Sequence, residues 1–200
     1  MRAPNRKHLP YILLILLVAS LFARAQYENP VLRGMNPDPS ILRVGHDYYL
    51  ATSSFEYFPS CPIYHSVDLV HWQRIGYALS RPSQFAQLSP HPSTYATTLR
   101  YHDGTFYLIT TDVRGGGNFY VTAKDPAGPW SDPIKVDQGM FDPSLFFDDD
   151  GTVYYTRRGP SSTENIVQST IDLRSGKLTS PLRTISHGMV TDDAEGPHLY

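Results

Sequence analysis

The sequence predicts an all-β protein, a β-propeller of which about three blades and the start of a fourth fit within 200 residues. Three observations lead to this prediction. One sequence pattern recurs four times along the chain. No window of about 11 or more residues beyond the N-terminal segment keeps its apolar residues at helical spacing. The composition agrees, because 14 Tyr, 14 Gly and 17 Pro favour short strands separated by turns.

The recurring pattern is a Pro or Thr, a small or polar residue and an aliphatic residue, followed by a turn and an aromatic-rich strand. Aligned on Pro39, Thr97, Pro143 and Pro197, successive copies lie 58, 46 and 54 residues apart. The fourth copy has only its opening residues before the printed sequence stops at Tyr200. A period of this size indicates a repeat architecture in which every copy is one small structural unit.

Each copy is predicted to form a small antiparallel sheet. Asp103-Gly104 and Asp150-Gly151 stand where a hairpin would turn, as primed turns prefer. Third and outer strands follow, at residues 63–66 and 71–75 in the first copy, 119–123 and 130–136 in the second, and 166–171 before a turn at Ser175-Gly176 in the third. Four-stranded sheets repeating every ~40–50 residues are typical of a β-propeller. A β-sandwich is the other all-β possibility, but it does not explain why the same tetrapeptide recurs in register.

Residues 1–25 have the parts of a secretory signal peptide. A basic start precedes an apolar run at residues 11–22, and Ala23-Arg24-Ala25 fits the small-x-small rule for cleavage before Gln26. The apolar run of 12 residues is shorter than the roughly 20 that cross a bilayer. We therefore expect a secreted or periplasmic protein without a membrane anchor after cleavage, in which residues 26–200 belong to the functional domain.

Charge and cysteine content exclude some classes of partner. Residues 1–25 hold four of the 17 Lys and Arg residues and none of the 19 Asp and Glu residues, so the remainder carries a net charge of −6. This balance argues against a nucleic-acid partner, which would need a basic face. Cys61 is the single cysteine, so no intrachain disulfide is possible, and we interpret it as an inert core residue.

Acidic residues open three of the four copies. In a propeller the first strand of every blade lines the central channel, so equivalent positions converge on one space. Asp38, Ala96 and Asp142 hold this position in the first three copies, and Glu195 stands one residue ahead of the aligned Gly196 in the fourth. For any single copy, an Asp that caps a turn is the simpler interpretation. The alanine of the second copy shows, however, that the fold does not require an acid, and no basic partner is evident nearby in the sequence.

Carboxyl groups gathered in one polar pocket suit glycoside hydrolysis. One ionised carboxylate activates water, and one protonated carboxyl group releases the leaving oxygen. An anionic Asp142 beside Glu195 would raise the pKa of the glutamate, whereas a well hydrated or hydrogen-bonded Asp38 would stay ionised.

Aromatic residues could supply faces on which a sugar stacks. Phe55, Tyr57, Phe58 and Tyr95 are the candidates, although ordinary interior packing is an equally open interpretation of each. His198 is a candidate for supporting the neighbouring acid from behind, with simple packing as its alternative.

Five segments resemble glycoside hydrolase family 43, the β-xylosidases and α-L-arabinofuranosidases. The three acidic motifs are residues 36–43 (NPDPSILR), 142–151 (DPSLFFDDDG) and 195–200 (EGPHLY). Supporting matches are residues 65–72 (HSVDLVHW) and 99–104 (LRYHDG). Three acidic motifs in the same order make the resemblance specific.

The resemblance implies a five-bladed propeller and a reaction that inverts the anomeric centre. Asp38 would be the general base, Glu195 the general acid, and Asp142 the residue that tunes and orients the acid. The chain would then be the N-terminal part of a catalytic domain, a fragment of a longer enzyme. No cofactor is expected from this segment. A structural calcium ion, the His that accompanies it and a substrate-contacting Arg would belong to the remainder of the domain.

The expected partners are xylan- or arabinan-derived saccharides with terminal xylosyl or arabinofuranosyl linkages. A carbohydrate-binding propeller that has lost catalysis is the alternative from another class, and the retention of all three acids argues against it. Fructan-cleaving propellers also place acids at blade starts, but they would need a retaining nucleophile in a local motif that this sequence lacks.

Overall fold

The computed structural model describes residues 27–161, 164–188 and 194–200, without the side chain of Glu164. The predicted signal peptide, residues 1–25, lies outside the described residues. Residues up to Val31 form one unit, of which residues 27–31 are described and have no helix or strand. All the helices and strands below belong to the second unit, Leu32–Tyr200.

The second unit contains three antiparallel sheets that follow one another along the chain. The first sheet is β1 (Ser40–Val44), β2 (Asp47–Ala51), β3 (Ser60–Ser66) and β4 (Gln73–Leu79). The second is β5 (Thr98–His102), β6 (Thr105–Asp112), β7 (Gly117–Ala123) and β8 (Ile134–Lys135). The third is β9 (Ser144–Phe147), β10 (Val153–Ser161), β11 (Glu164–Asp172) and β12 (Lys177–Leu178), with β13 (Arg183–Ser186) also paired to β11.

The predicted all-β class is confirmed. Among the described residues the helical structure is one short element, α1 (Pro82–Phe85), between the first two sheets. None of the helices in that part of the chain is long and apolar enough to cross a membrane.

The hairpin turns lie at the predicted positions, but they differ in type. Asp103 and Gly104 form a two-residue turn between β5 and β6 with φ of 46° and 70°, as a primed turn requires. The corresponding connection in the third sheet is longer, because residues 148–152 join β9 to β10. There Gly151 takes the left-handed conformation, with φ of 86°.

The outer strands are where the sequence prediction was least accurate. β4 begins at Gln73 rather than at His71, and β8 covers two residues of the predicted 130–136. The third sheet continues past the predicted turn at Ser175-Gly176 into β12 and β13. Outer strands such as β8 are partly exposed on both faces, so the apolar alternation that defines a strand in the sequence is weak there.

The middle sheet has both faces buried, one against each neighbouring sheet. Leu108 and Phe119 of the middle sheet join Ile63 and other residues of the first sheet in one apolar cluster. Ile109 and Tyr120 are the next residues along the same two strands, and they pack in a second cluster with residues of the third sheet. Because successive residues of a strand point to opposite faces, consecutive apolar residues serve both clusters. The three sheets therefore stack in chain order.

The first strands of the three sheets lie next to one another, with β1 against β5 and β5 against β9. Hydroxyl groups of the repeated tetrapeptide link them. The backbone N–H of Leu99 donates to Ser40 Oγ at 3.0 Å, and Thr98 Oγ1 donates to the carbonyl of Pro143 at 2.9 Å. These bonds bring the residues that precede each first strand to one place.

Cys61 lies in the first apolar cluster and is fully buried. Burial raises the pKa of its thiol to about 11. A thiol with so high a pKa is almost entirely protonated near neutral pH, as expected for a structural core residue.

Candidate active site

The structure brings the three predicted acids to one open cavity of about 480 Å³. Asp38, Asp142 and Glu195 line it, although they are far apart in the sequence. The remaining lining residues come from the same repeat segments: Pro39, Ile41, Ala96, Thr97, Gly196, His198 and Tyr200. The aligned opening residues of all four copies therefore converge, as the repeat pattern predicted.

Asp38 is held by a residue just beyond the second strand of its own sheet. Ser53, which follows β2 and is buried, donates from its hydroxyl group to Asp38 Oδ2 at 2.6 Å. The backbone N–H of the same serine donates to the carbonyl of Pro37 at 3.1 Å. The two bonds fix both the backbone and the carboxylate of Asp38.

Asp142 is bonded to the segment that carries Glu195. The backbone N–H of Gly196 donates to Asp142 Oδ2 at 3.1 Å. Burial raises the pKa of the Asp142 carboxyl to about 6, and the negative charges of Glu195 and Asp38 contribute to the rise. The bond from Gly196 and the positive charge of Arg158 oppose it.

Three of the four aligned positions have a left-handed backbone. The φ angles are 52° at Asp38, 59° at Asp142 and 59° at Gly196, and each residue precedes a proline. Ala96, the aligned residue of the second copy, is not among the residues with positive φ. Non-glycine residues rarely adopt this conformation, although four further non-glycine residues among those described adopt it without lining this cavity. In the fourth copy a glycine takes the left-handed position and the acid is displaced by one residue.

Glu195 has a basic neighbour that the sequence did not reveal. Arg158, in β10, places Nε 3.5 Å from Glu195 Oε1. The arginine side chain is 14% exposed and the glutamate side chain 47% exposed. The guanidinium group also lies over the ring of Phe141, at 5.3 Å from its centroid. Arg158 is distant from Glu195 in the sequence, which explains why no basic partner is evident near the acids in the sequence.

A sequence signal for Arg158 did exist. It follows Arg157 directly in a predicted aromatic-rich strand, where neighbouring residues face opposite sides. Since buried charges are nearly always paired, two consecutive arginines predict an acidic partner on each side of the sheet. The structure shows these partners to be Asp137 for Arg157 and Glu195 for Arg158.

The sequence predicts a raised pKa for Glu195, whereas the structure shows that burial raises the pKa of the Asp142 carboxyl group to about 6. The reason is geometric. Asp142 precedes β9 and is largely enclosed by the converging segments, and its neighbouring carboxylates add to the effect. Sequence order does not show which of two adjacent acids is the more deeply buried.

His198 lines the cavity, but its ring is bonded to an arginine. Arg100 Nη2 donates to His198 Nδ1 at 3.1 Å, so the hydrogen of the neutral ring is on Nε2. Burial and the charge of Arg100 lower the pKa of His198. Arg100 Nε also donates to the carbonyl of Leu145 at 2.9 Å, and its guanidinium lies over the ring of Tyr200. The arginine thus holds the C-terminal segment against the second and third sheets.

The four predicted aromatic residues divide into two pairs. The rings of Phe55 and Tyr95 meet edge to face at 5.6 Å, and Tyr95 contacts Phe141, the residue before Asp142, at 5.8 Å. Tyr57 and Phe58 are 63% and 51% exposed and line cavities other than the acidic one.

No set of three or more His, Cys, Asp or Glu side chains that could hold a metal ion was found within residues 27–161, 164–188 and 194–200. The cavity presents three carboxyl groups as its candidate catalytic groups. It provides a hydrogen-bonded Asp38, a half-buried Asp142 that titrates near pH 6, and a Glu195 beside an arginine.

Comparison with known proteins gives a family match. The family model described as glycosyl hydrolases family 43 matches residues 27–200. The chain is 48% identical over 203 residues to a non-reducing end α-L-arabinofuranosidase of Bacteroides ovatus, covering 98% of this chain and 38% of that enzyme. It is 49% identical over 187 residues to a xylosidase/arabinosidase of Butyrivibrio fibrisolvens, covering 86% and 36%.

Solved structures give a similar result. A Bacteroides ovatus protein described as xyloglucan PUL GH43B superposes with a TM-score of 0.76 at 48% identity, covering 87% of this chain and 35% of that one. A xylan β-1,4-xylosidase from Bacillus halodurans superposes with a TM-score of 0.79 at 43% identity, covering 88% and 36%. The chain thus spans a little over a third of the length of the curated relatives it matches.

Proposed function

The chain belongs to glycosyl hydrolase family 43, and from this premise we propose that it is part of an inverting glycosidase. The proposed reaction removes terminal xylosyl or arabinofuranosyl units from xylan- or arabinan-derived saccharides. One observation carries the proposal: Asp38, Asp142 and Glu195 line the same cavity. Three carboxyl groups around one space supply the base and the acid that glycoside hydrolysis needs.

Asp38 is the proposed general base. Its carboxylate accepts a hydrogen bond from Ser53, which leaves further lone pairs for a water molecule. The water attacks the anomeric carbon from the face opposite the leaving group as Asp38 takes its proton. Inversion of this kind needs roughly 6.5–9.5 Å between the two carboxyl groups, so that the water fits between base and sugar.

Glu195 is the proposed general acid, because its side chain lines the cavity and is 47% exposed, so that a leaving-group oxygen has access to it. Asp142 is the proposed modulator. Its carboxyl group accepts the N–H of the residue that follows Glu195, so it orients that segment.

The names of similar proteins support xylosyl and arabinofuranosyl units as the sugars that are removed. The relatives include the arabinofuranosidase and the xylosidase/arabinosidase described above, and a xylan 1,3-β-xylosidase of Vibrio that is 43% identical over 188 residues. We propose xylosyl and arabinofuranosyl ends as the substrate class on this basis.

We further propose that the three stacked sheets are blades of a five-bladed propeller to which this chain contributes the N-terminal part. The stacking of consecutive four-stranded sheets in chain order supports it. The signal-like residues 1–25 support a secreted or periplasmic location.

The intact protein tests this function directly. It is incubated with p-nitrophenyl β-D-xylopyranoside and p-nitrophenyl α-L-arabinofuranoside, and the first sugar anomer released is identified by proton NMR. We expect turnover of at least one glycoside, with the anomer of inverted configuration appearing first. Saccharide affinity without turnover would instead establish the non-catalytic binding protein, and a retained anomer would exclude the proposed mechanism.

Glu195→Gln tests the acid separately. A phenolate of low pKa leaves without a proton, so activity on 2,4-dinitrophenyl glycosides should stay within about threefold of wild type. Activity on methyl glycosides or xylobiose, whose leaving groups need the proton, should fall by about 10²-fold. Equal losses on both kinds of substrate would contradict the assignment.

A further inference from the structure

The segment between β8 and β9, residues 136–143, carries Asp142 into the cavity and is anchored to both neighbouring sheets. It contains no strand of its own. Its first residue, Val136, donates its N–H to the carbonyl of Asn118 at 2.8 Å. Near its end, the N–H of Arg158 donates to the carbonyl of Phe141 at 3.1 Å. Between these two points lies a charged side chain that the proposed mechanism does not use.

That side chain is Asp137, which accepts three hydrogen bonds. Oδ1 accepts from Asn118 Nδ2 at 2.6 Å and from the hydroxyl group of Tyr155 at 2.8 Å. Oδ2 accepts from Arg157 Nε at 2.9 Å. The side chains of Asp137 and Arg157 are 17% and 8% exposed, so the pair is largely shielded from water. The donors come from the second and third sheets, which makes Asp137 the junction between them.

Two of these partners also contact the backbone between Asp137 and Asp142. Asn118 is fully buried, and its Nδ2 also donates to the carbonyl of Met140 at 2.9 Å. Gly139 passes against the guanidinium group of Arg157, where a Cβ would lie 2.2 Å from Cζ. One buried network therefore fixes residues 137, 139 and 140, which lie two to five residues before the left-handed residue 142.

We propose that Asp137 is a positioning residue for Asp142, acting through the anchored segment between them. The inference rests on the proposed function, because it assigns a consequence to the position of Asp142. Asp142 bonds the N–H next to Glu195. A displacement of about 1 Å at a reacting group can reduce the rate by about 10²-fold. Loss of the anchor should therefore impair the step that depends on proton donation.

Asp137→Asn is the direct test. An amide offers one acceptor oxygen and one N–H₂ group, so it cannot accept from Asn118, Tyr155 and Arg157 in the native arrangement. We expect the rate on xylobiose or methyl glycosides to fall about 10- to 100-fold. The rate on 2,4-dinitrophenyl glycosides should fall much less, because those substrates need no proton. A structural defect alone would lower both rates together.

Two tyrosines provide a milder matched pair in case the asparagine variant does not fold. Tyr155 and Tyr120 are both fully buried and belong to the same apolar cluster. Tyr155 donates to Asp137, whereas Tyr120 donates to the carbonyl of Leu173 at 2.5 Å. Tyr155→Phe and Tyr120→Phe each remove one buried hydroxyl group. Only Tyr155→Phe should change the ratio of the two rates, by about threefold or more.

A second measurement separates this inference from the proposed function. The carboxyl ¹³C shift of Asp142, assigned with Asp142→Asn, is titrated in wild type, Asp137→Asn and the two phenylalanine variants. If Asp137 positions Asp142, the pH midpoint of the Asp142 titration should change in Asp137→Asn and in Tyr155→Phe. It should stay at the wild-type value in Tyr120→Phe. This result would support positioning even if the wild type shows no turnover. The inference would be overturned if every folded variant kept the wild-type midpoint and the wild-type ratio of the two rates. It would also be overturned if Tyr155→Phe and Tyr120→Phe had equal effects.

Discussion

The first and third copies of the repeat differ from the second at the residue that enters the cavity. Asp38 and Asp142 hold a left-handed backbone and a carboxyl group, whereas Ala96 lines the same cavity with neither. All three positions precede a first strand by two residues, and all three sheets have the same strand order. A sheet of this type therefore forms without the left-handed residue.

At the aligned positions of the first three copies, the left-handed backbone is found where the residue is an acid and not where it is an alanine. A left-handed non-glycine residue costs about 1–2 kcal/mol relative to the right-handed conformation. The second copy avoids that cost, and the fourth reduces it by placing Gly196 at the position and the acid one residue earlier. Hydrogen bonds to the acids offset the strain: Ser53 bonds Asp38, and the N–H of Gly196 bonds Asp142.

The largest expected effect is at the first copy. Asp38→Asn keeps the shape of the side chain and tolerates a positive φ, but it removes the base. Turnover on every substrate should fall by about 10³-fold, because activation of water is needed for good and poor leaving groups alike. Initial rates with 2,4-dinitrophenyl glycosides measure this loss.

Asp103→Asn is the matched control for that variant. Asp103 also has a positive φ, of 46°, but it is 91% exposed in the β5–β6 turn and does not line the cavity. The turnover of Asp103→Asn should equal that of wild type. A comparable loss in both variants would mean that backbone conformation, rather than the carboxylate, limits the reaction.

The second effect is a pH dependence of stability that arises at the third copy. The pKa of Asp142 is raised from 3.8 to about 6, so within this window the folded state binds the proton more tightly than the unfolded state. The Asp142 contribution to stability is therefore greatest below this window and is lost as the pH rises through it. Its size is about 2 kcal/mol, allowing for partial solvent screening.

Thermal unfolding of wild type and Asp142→Asn across this pH range measures the contribution. The melting temperature of wild type should fall relative to that of the variant as the pH rises. Parallel curves for the two proteins would show that Asp142 titrates at its ordinary pKa.

The smallest effect is at the fourth copy. Gly196→Ala adds a methyl group that meets no atom within 4 Å, so its cost is the strain of a φ of 59°, about 1 kcal/mol. Gly104→Ala is the matched control, since its φ is 70° and its Cβ is equally free. Chemical denaturation should give similar losses for both. Only Gly196→Ala should also lower turnover of poor leaving groups, because strain at residue 196 would shift the backbone N–H that bonds Asp142.

Much of the fold was open to prediction from local patterns. Asp103-Gly104 predicted a primed turn, and the aromatic strands after each tetrapeptide predicted the inner hairpins, because turn chemistry and strand alternation depend on neighbouring residues. The outer strands β8, β12 and β13 were less predictable, since they are short and partly exposed. The three acids were predictable because equivalent positions of a sequence repeat occupy equivalent places in the structure.

The sequence by itself determined the β class, the repeat and the three acids that share a cavity. Tertiary structure alone decided that Arg158 lies beside Glu195, that Ser53 holds Asp38, and that Asp142 is the acid with the raised pKa. The physical reason is that strand pattern and turn type are properties of adjacent residues. Burial and charge pairing depend on which distant segments the stacked sheets bring within a few ångströms of one another.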